Sequence, residues 1–168
     1  KWQREGKHVL KPLLHNPRWN EIILLTAGHL GVFSSYQATR FIWTILEMKS
    51  EYENILHRDL LMAVRCLADD IRVDAELRRT VLSQLLKVYF APKSSPTLQD
   101  DIRQACSRLS GTIFGAELSK KLAKCLAHRR KSIRQAAAQA LGQLGAVKVA
   151  PEVVTALFHA LADPDASV

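Results

Sequence analysis

The chain predicts an all-α fold, an α-α superhelix of about four stacked helical hairpins, and three observations carry that reading. The first is a helical pattern that recurs along the chain. It is clearest in Ser132-Ile-Arg-Gln-Ala-Ala-Ala-Gln-Ala-Leu-Gly-Gln-Leu-Gly145, where Ile133, Ala136, Ala137, Ala140, Leu141 and Leu144 line one side of a helix. A stripe made mostly of alanine lets a neighbouring helix come close. The second observation is that each such stripe is followed by another amphipathic segment, so that the repeating unit is a helical hairpin. The third is that no alternating run bounded by turn residues marks a strand.

Taken in order, Asn16 and Pro17 supply the N-cap and first position of a helix carrying Trp19, Ile22, Ile23, Ala27 and Leu30, with Gly31 as a left-handed stop. Its partner carries Ala38, Phe41, Ile42, Ile45 and Leu46. The second pair presents Leu60, Ala63, Val64, Leu67, Ala68 and Ile71, then Leu77, Val81, Leu82, Leu85 and Val88. Ala91-Pro-Lys-Ser-Ser-Pro-Thr97 has low helix propensity and reads as a loop. The third pair follows with Ile102, Ala105, Cys106 and Leu109, then Leu118, Leu122 and Leu126. In the fourth, Gly145 ends the alanine-rich helix and Pro151 starts a partner bearing Val153, Val154, Leu157 and Leu161. From Leu60 to Ile102, Ile133 and Val168 the steps are 42, 31 and 35 residues, the range of stacked helix pairs. One hairpin alone has too little core, so each buries its stripe against the next.

At 168 residues the chain is long enough for one cooperative domain or repeat array, without staples. No apolar run reaches the ~18 residues that span a bilayer, so no membrane role is expected and the cytoplasm is the expected location. Cys66, Cys106 and Cys125 are odd in number and lack paired spacing, which favours small buried hydrophobes over redox or metal roles. The start at Lys1 and the closing Asp163-Pro-Asp-Ala-Ser-Val168, which reads as the lead-in to a further repeat, suggest a piece of a larger protein. The formal net charge of +8 is compatible with a basic fragment of that kind, and it also invites a nucleic-acid partner.

The candidate interaction surface is Lys120, Lys121, Lys124, Arg129, Arg130, Lys131 and Arg134, seven cations in fifteen positions with no acid among them. One reading is a phosphate-tracking edge made of helix ends and the turn between them. The other is a solvated face whose cations complement a helix C-terminus. Aromatic interleaving of the kind used on single strands is lacking. Trp19 and Trp43, set among isoleucines, read as core packing of the first hairpin. Cys125 and His128 lie one turn apart but do not close a zinc site. His57-Arg-Asp59 echoes a kinase catalytic tripeptide without its companion elements, and Asp59 reads instead as an early-helix acid facing the dipole. No catalytic residue, metal ligand or cofactor is predicted.

Ile133 to Gly145 followed by Val153 to Leu161 resembles HEAT repeats, the short PBS-lyase-type variety above all, with Arg134 and Arg103 matching the arginine that follows the first stripe residue. The N-terminal third is more specific. Pro17-Arg-Trp-Asn-Glu-Ile-Ile-Leu-Leu-Thr-Ala-Gly-His-Leu-Gly31, after Val9-Leu-Lys-Pro-Leu-Leu-His15 and before His57-Arg-Asp-Leu-Leu-Met-Ala-Val-Arg-Cys-Leu-Ala-Asp69, resembles the region after the nucleotide-binding core of bacterial, cyanobacterial-type NACHT proteins. The resemblance covers residues 8–70. It implies a NACHT-adjacent hairpin over 1–56, further HEAT repeats over 57–168, and a signal-transducing ATPase as parent. No phosphate-binding loop occurs in the chain: Gly111-Thr-Ile-Phe-Gly115 lacks both spacing and lysine. The resemblance therefore implies a non-catalytic sensor or regulatory scaffold whose partners are other domains of the parent or a protein ligand. The alternatives are a nucleic-acid-binding HEAT module using the basic edge, and a PBS-lyase-like repeat protein.

Overall fold

The computed structural model describes residues 2–91, 95–144 and 151–161, and side chains from residue 6 onward. Among the described residues every regular element is a helix, and none of these helices is long and apolar enough to cross a membrane. The chain divides into two compact units, Lys1–Leu85 and Leu86–Val168.

The first unit holds α1 (Trp2–Leu10), α2 (Pro17–Phe33), α3 (Ser35–Leu46), the short α4 (Glu53–Leu56), α5 (Arg58–Leu67) and most of α6 (Ala75–Tyr89). Helix α2 starts where the sequence predicts. Asn16 is extended and its Oδ1 accepts a hydrogen bond from the Arg18 N–H at 3.1 Å, with Pro17 in the first turn. Its end differs, because α2 runs through Gly31 to Phe33 and stops at Ser34. The extended Ser34 donates its N–H to the Leu30 carbonyl at 2.8 Å, and its hydroxyl accepts from the Gln37 N–H at 3.3 Å. One serine closes one helix and opens the next. Gly31 is therefore not a left-handed stop; a Cβ there would collide with the Ile71 side chain, so the glycine permits a close approach.

Helix α2 packs on α3 and α5, and α3 packs on α5. The core between them includes Ile23, Ala27, Ala38, Ile42, Ile45, Leu60, Ala63, Val64 and Leu67, with Leu77, Val81, Leu82 and Leu85 from α6. Thr39, itself buried, accepts from the Asp74 N–H at 3.0 Å, and the Asp74 carboxylate caps α6 through the Leu77 N–H at 2.7 Å. Two expectations fail on α2: Trp19 is 37% exposed and Ile22 48% exposed, so neither belongs to the core. At about 100° per residue, Ile22 is turned well away from Ile23, whereas Trp19 shares the side of Ile23 but stands in the first turn of the helix, where that side is only partly covered. Trp43 on α3 is half-buried.

The second unit contains the end of α6 and α7 (Pro96–Arg108), α8 (Ile113–Cys125), α9 (Lys131–Leu144) and α10 (Pro151–Leu161). Ser95 caps α7 through the Leu98 N–H at 3.2 Å, with Pro96 in the first turn. Pro96 and Thr97 thus belong to a helix rather than to the predicted loop, whose residues 92–94 lie outside the described ones. Gly111 takes φ +82 in the tight turn to α8, and Thr112 caps that helix through the Gly115 N–H at 3.1 Å. A Cβ at Gly115 would collide with the Leu109 carbonyl oxygen.

Helix α9 packs on both α7 and α8, and α10 packs on α8. Ala137 and Ala140 are buried at that crossing, where their small side chains let helix axes approach. The Tyr89 hydroxyl donates to the Ala136 carbonyl at 3.2 Å, which ties the end of α6 to α9. Of the predicted α10 stripe Val153 is buried, whereas Val154 is exposed and Leu161 is 82% exposed. No further helix follows among the described residues to cover them. Gly145 and the predicted lead-in at 163–168 lie outside the described residues.

Candidate functional site

Of the seven predicted cations, five are exposed: Lys120 and Lys124 on α8, Arg129 and Arg130 in the turn, and Lys131 at the start of α9. Lys120 and Lys124 are one helical turn apart and share a face. Lys121 and Arg134 are half-buried instead. Burial pushes the Cys125 thiol up from its ordinary range, and the Lys121 charge draws it partly back. Arg134 reaches back from α9, donating through Nη1 to the His128 carbonyl at 3.1 Å and the Arg129 carbonyl at 3.3 Å. The Arg130 N–H donates to His128 Nδ1 at 3.1 Å. The turn is thereby fixed by its own side chains, with its carbonyls turned to Arg134 and its cations outward. Cys66 and Cys106 are buried, and burial pushes both thiols up to about 12, where they are protonated and inert. Among the described residues no group of three His, Cys, Asp or Glu side chains is disposed to hold a metal ion.

The structure assembles a second polar group that the sequence reading does not find. Asp59, in the first turn of α5, is 1% exposed. Its Oδ1 lies 2.7 Å from His15 Nε2, and its Oδ2 accepts from the Ser50 N–H at 2.9 Å. The same His15 nitrogen is 2.9 Å from Ser50 Oγ. In a nucleophilic triad the acid and the hydroxyl occupy opposite nitrogens of the imidazole, so that the base can take the hydroxyl proton while the acid orients it. Here both crowd Nε2. The arrangement is a structural tie and not an activated serine.

Glu53 completes this group. Its carboxylate accepts from the Asp59 N–H at 2.8 Å and the Leu60 N–H at 3.2 Å, capping α5 from outside in place of His57, whose side chain makes no cap bond. Burial raises the Glu53 carboxyl above its ordinary range, against the pull of those two backbone donors. Burial likewise lowers the His57 imidazole. Asp59 does face the helix dipole, as its position implies, but its work is to hold His15 and the Ser50 backbone. The sequence signal is weak, because the partners lie 44 and 9 positions away.

A third feature is apolar. Ile22, Leu25, Val32 and Phe33 are 48%, 64%, 81% and 73% exposed on the side of α2 away from its packed residues. His29 stacks on Phe33 with ring centroids 4.6 Å apart in the same stripe. Helix α2 is thus apolar nearly all round, the pattern of a helix with neighbours on both sides. Compared with known proteins, the chain matches no family model, no curated protein and no solved structure.

Proposed function

We propose that the chain is a HEAT-like helical scaffold, a non-catalytic sensor or regulatory region that works by protein contact through the outer face of α2. The observation that carries this reading is the exposed stripe Ile22, Leu25, Val32 and Phe33 on a helix whose other side is packed into a core. Contiguous exposed apolar surface is costly in water unless a partner covers it. The contact plan supports the repeat reading: in one unit α2 packs on α3 and α5 and α3 on α5, and in the other α8 packs on α9 and α10 and α7 on α9, so helices close in sequence pack together. The resemblance of residues 8–70 to the segment following a NACHT core supplies the partner class, an ATPase module of the same signalling protein. The scaffold restrains or releases that module when a ligand shifts its populations.

Two measurements test this. The purified chain is expected to turn over no ATP at enzyme-like rates. An ATPase module of this class joined to the chain is expected to change its hydrolysis rate several-fold when Leu25→Asp and Phe33→Asp are introduced together. Turnover by the isolated chain overturns the non-catalytic reading, and an unchanged rate in the joined protein overturns the role of the α2 face.

A further inference from the structure

We infer that the α8–α9 edge binds the sugar-phosphate backbone of a duplex nucleic acid, with Lys120, Lys124, Arg129 and Arg130 as the phosphate contacts and Arg134 as the residue that positions the turn. All four contact residues are exposed. The segment Lys120 to Arg134 holds no acidic residue; the nearest is Glu117, one turn before Lys120 and Lys121 on the same helix. An oxyanion approaching the turn meets side-chain cations and not bare carbonyls, because Arg134 holds the His128 and Arg129 carbonyl oxygens. Lys120 and Lys124 extend the patch along α8, a rise of about 6 Å that is comparable with two nucleotide steps of ~3.4 Å each.

The choice of a duplex over other polyanions rests on what accompanies the charge. A specific protein partner is held mainly by buried aromatic or aliphatic anchors, and none of the exposed large apolar side chains falls between Lys120 and Arg134. A single strand is held largely by base stacking on aromatic rings, and the segment contains no Phe, Trp or Tyr. Backbone phosphates need neither. They reward closely spaced cations on a rigid support through counterion release. This inference is independent of the α2 reading, since the two faces belong to different units.

Titrating the chain with a 30-base-pair duplex at a series of salt concentrations tests it. About four neutralised phosphates predict a slope of log affinity on log salt near −3.6. The quadruple variant Lys120→Glu, Lys124→Glu, Arg129→Glu and Arg130→Glu is expected to lose at least 100-fold in affinity at low salt, with its helical circular dichroism retained. The milder pair Lys124→Gln with Arg130→Gln, which cannot reverse the field, is expected to reduce the slope by about 2. Arg134→Lys keeps the charge but loses the two-carbonyl grip; it is expected to weaken binding several-fold with the slope nearly unchanged. Equal affinity and slope in the wild type and the neutral pair overturn the proposal. Polyglutamate of matched charge that competes as well as the duplex overturns it in favour of an acidic protein, and tighter binding to a single strand overturns the duplex assignment.

Discussion

The two units solve the same problem, joining short packed helices, by different local chemistry. In the second, connections use residues whose conformational preferences already fit: Ser95 before Pro96, and left-handed Gly111 before the capping Thr112. In the first, the connection from α3 to α5 holds Lys49, Tyr52 and His57 in the left-handed region, where a side chain costs roughly 1–2 kcal/mol each. Those conformations persist because the Ser50, Glu53, Asp59 and His15 cluster closes over them. One unit relies on backbone preference, the other on a buried polar tie that overrides it.

The largest expected effect breaks that tie. Asp59→Ala removes the partner of His15 and of the Ser50 N–H at a carboxylate that is itself 1% exposed, and is expected to cost about 3 kcal/mol. Its counterpart in the second unit, Thr112→Ala, removes one helix cap and is expected to cost about 1 kcal/mol. Urea unfolding of both variants checks the ratio; equal costs would mean that the cluster contributes no more than an ordinary cap.

A smaller effect comes from left-handed positions, where the two units should respond in opposite directions. Tyr52 is 60% exposed at φ +61, so Tyr52→Gly relieves backbone strain with little packing lost and is expected to stabilise by about 1 kcal/mol. Gly111 sits at φ +82 with nothing within 4 Å of the point a methyl group would occupy, so Gly111→Ala introduces strain alone and is expected to destabilise by about 1 kcal/mol. Thermal midpoints that move the same way in both variants would remove the distinction.

This contrast also explains what could be read from the chain. Amphipathic stripes locate helices because burial follows the 3.6-residue period: Leu77, Val81, Leu82, Leu85 and Val88 are all buried, as are Ile102, Ala105, Cys106 and Leu109. Asn16-Pro17 is legible because the cap acts within three residues. The basic edge is legible as composition, and its exposure follows for five of seven members. Gly31 misleads because the same residue serves a chain stop and a close approach, and Ile71, which decides between them, is 40 positions away. Trp19 misleads because periodicity shows which residues share a face but not how far along the helix that face is covered. The His15–Asp59 pair leaves no spacing signal at all, since it depends on how α1 and α3 deliver their ends to the start of α5.

The finest test of the polar tie is its pH dependence. Burial raises the Glu53 carboxyl above its ordinary 4.5, with the Asp59 and Leu60 N–H groups and the neighbouring His15 pulling against it, and the Asp59 charge adding to the rise. An acid that holds its proton more tightly when folded than when unfolded stabilises the fold fully below pH 4.5 and loses that contribution as pH climbs through the folded value. Glu53→Gln cannot titrate, so subtracting its stability from that of the wild type isolates this group from every other carboxylate in the chain. The difference is expected to fall as pH rises from the ordinary 4.5 through the raised folded value and to level off above it. A difference that rises across that window would mean that the two backbone donors outweigh burial, and that Glu53 caps α5 as a favoured carboxylate and not as a strained one. No comparable window is expected from Thr112, a neutral hydroxyl cap, and the Thr112→Ala difference should stay flat across the same range.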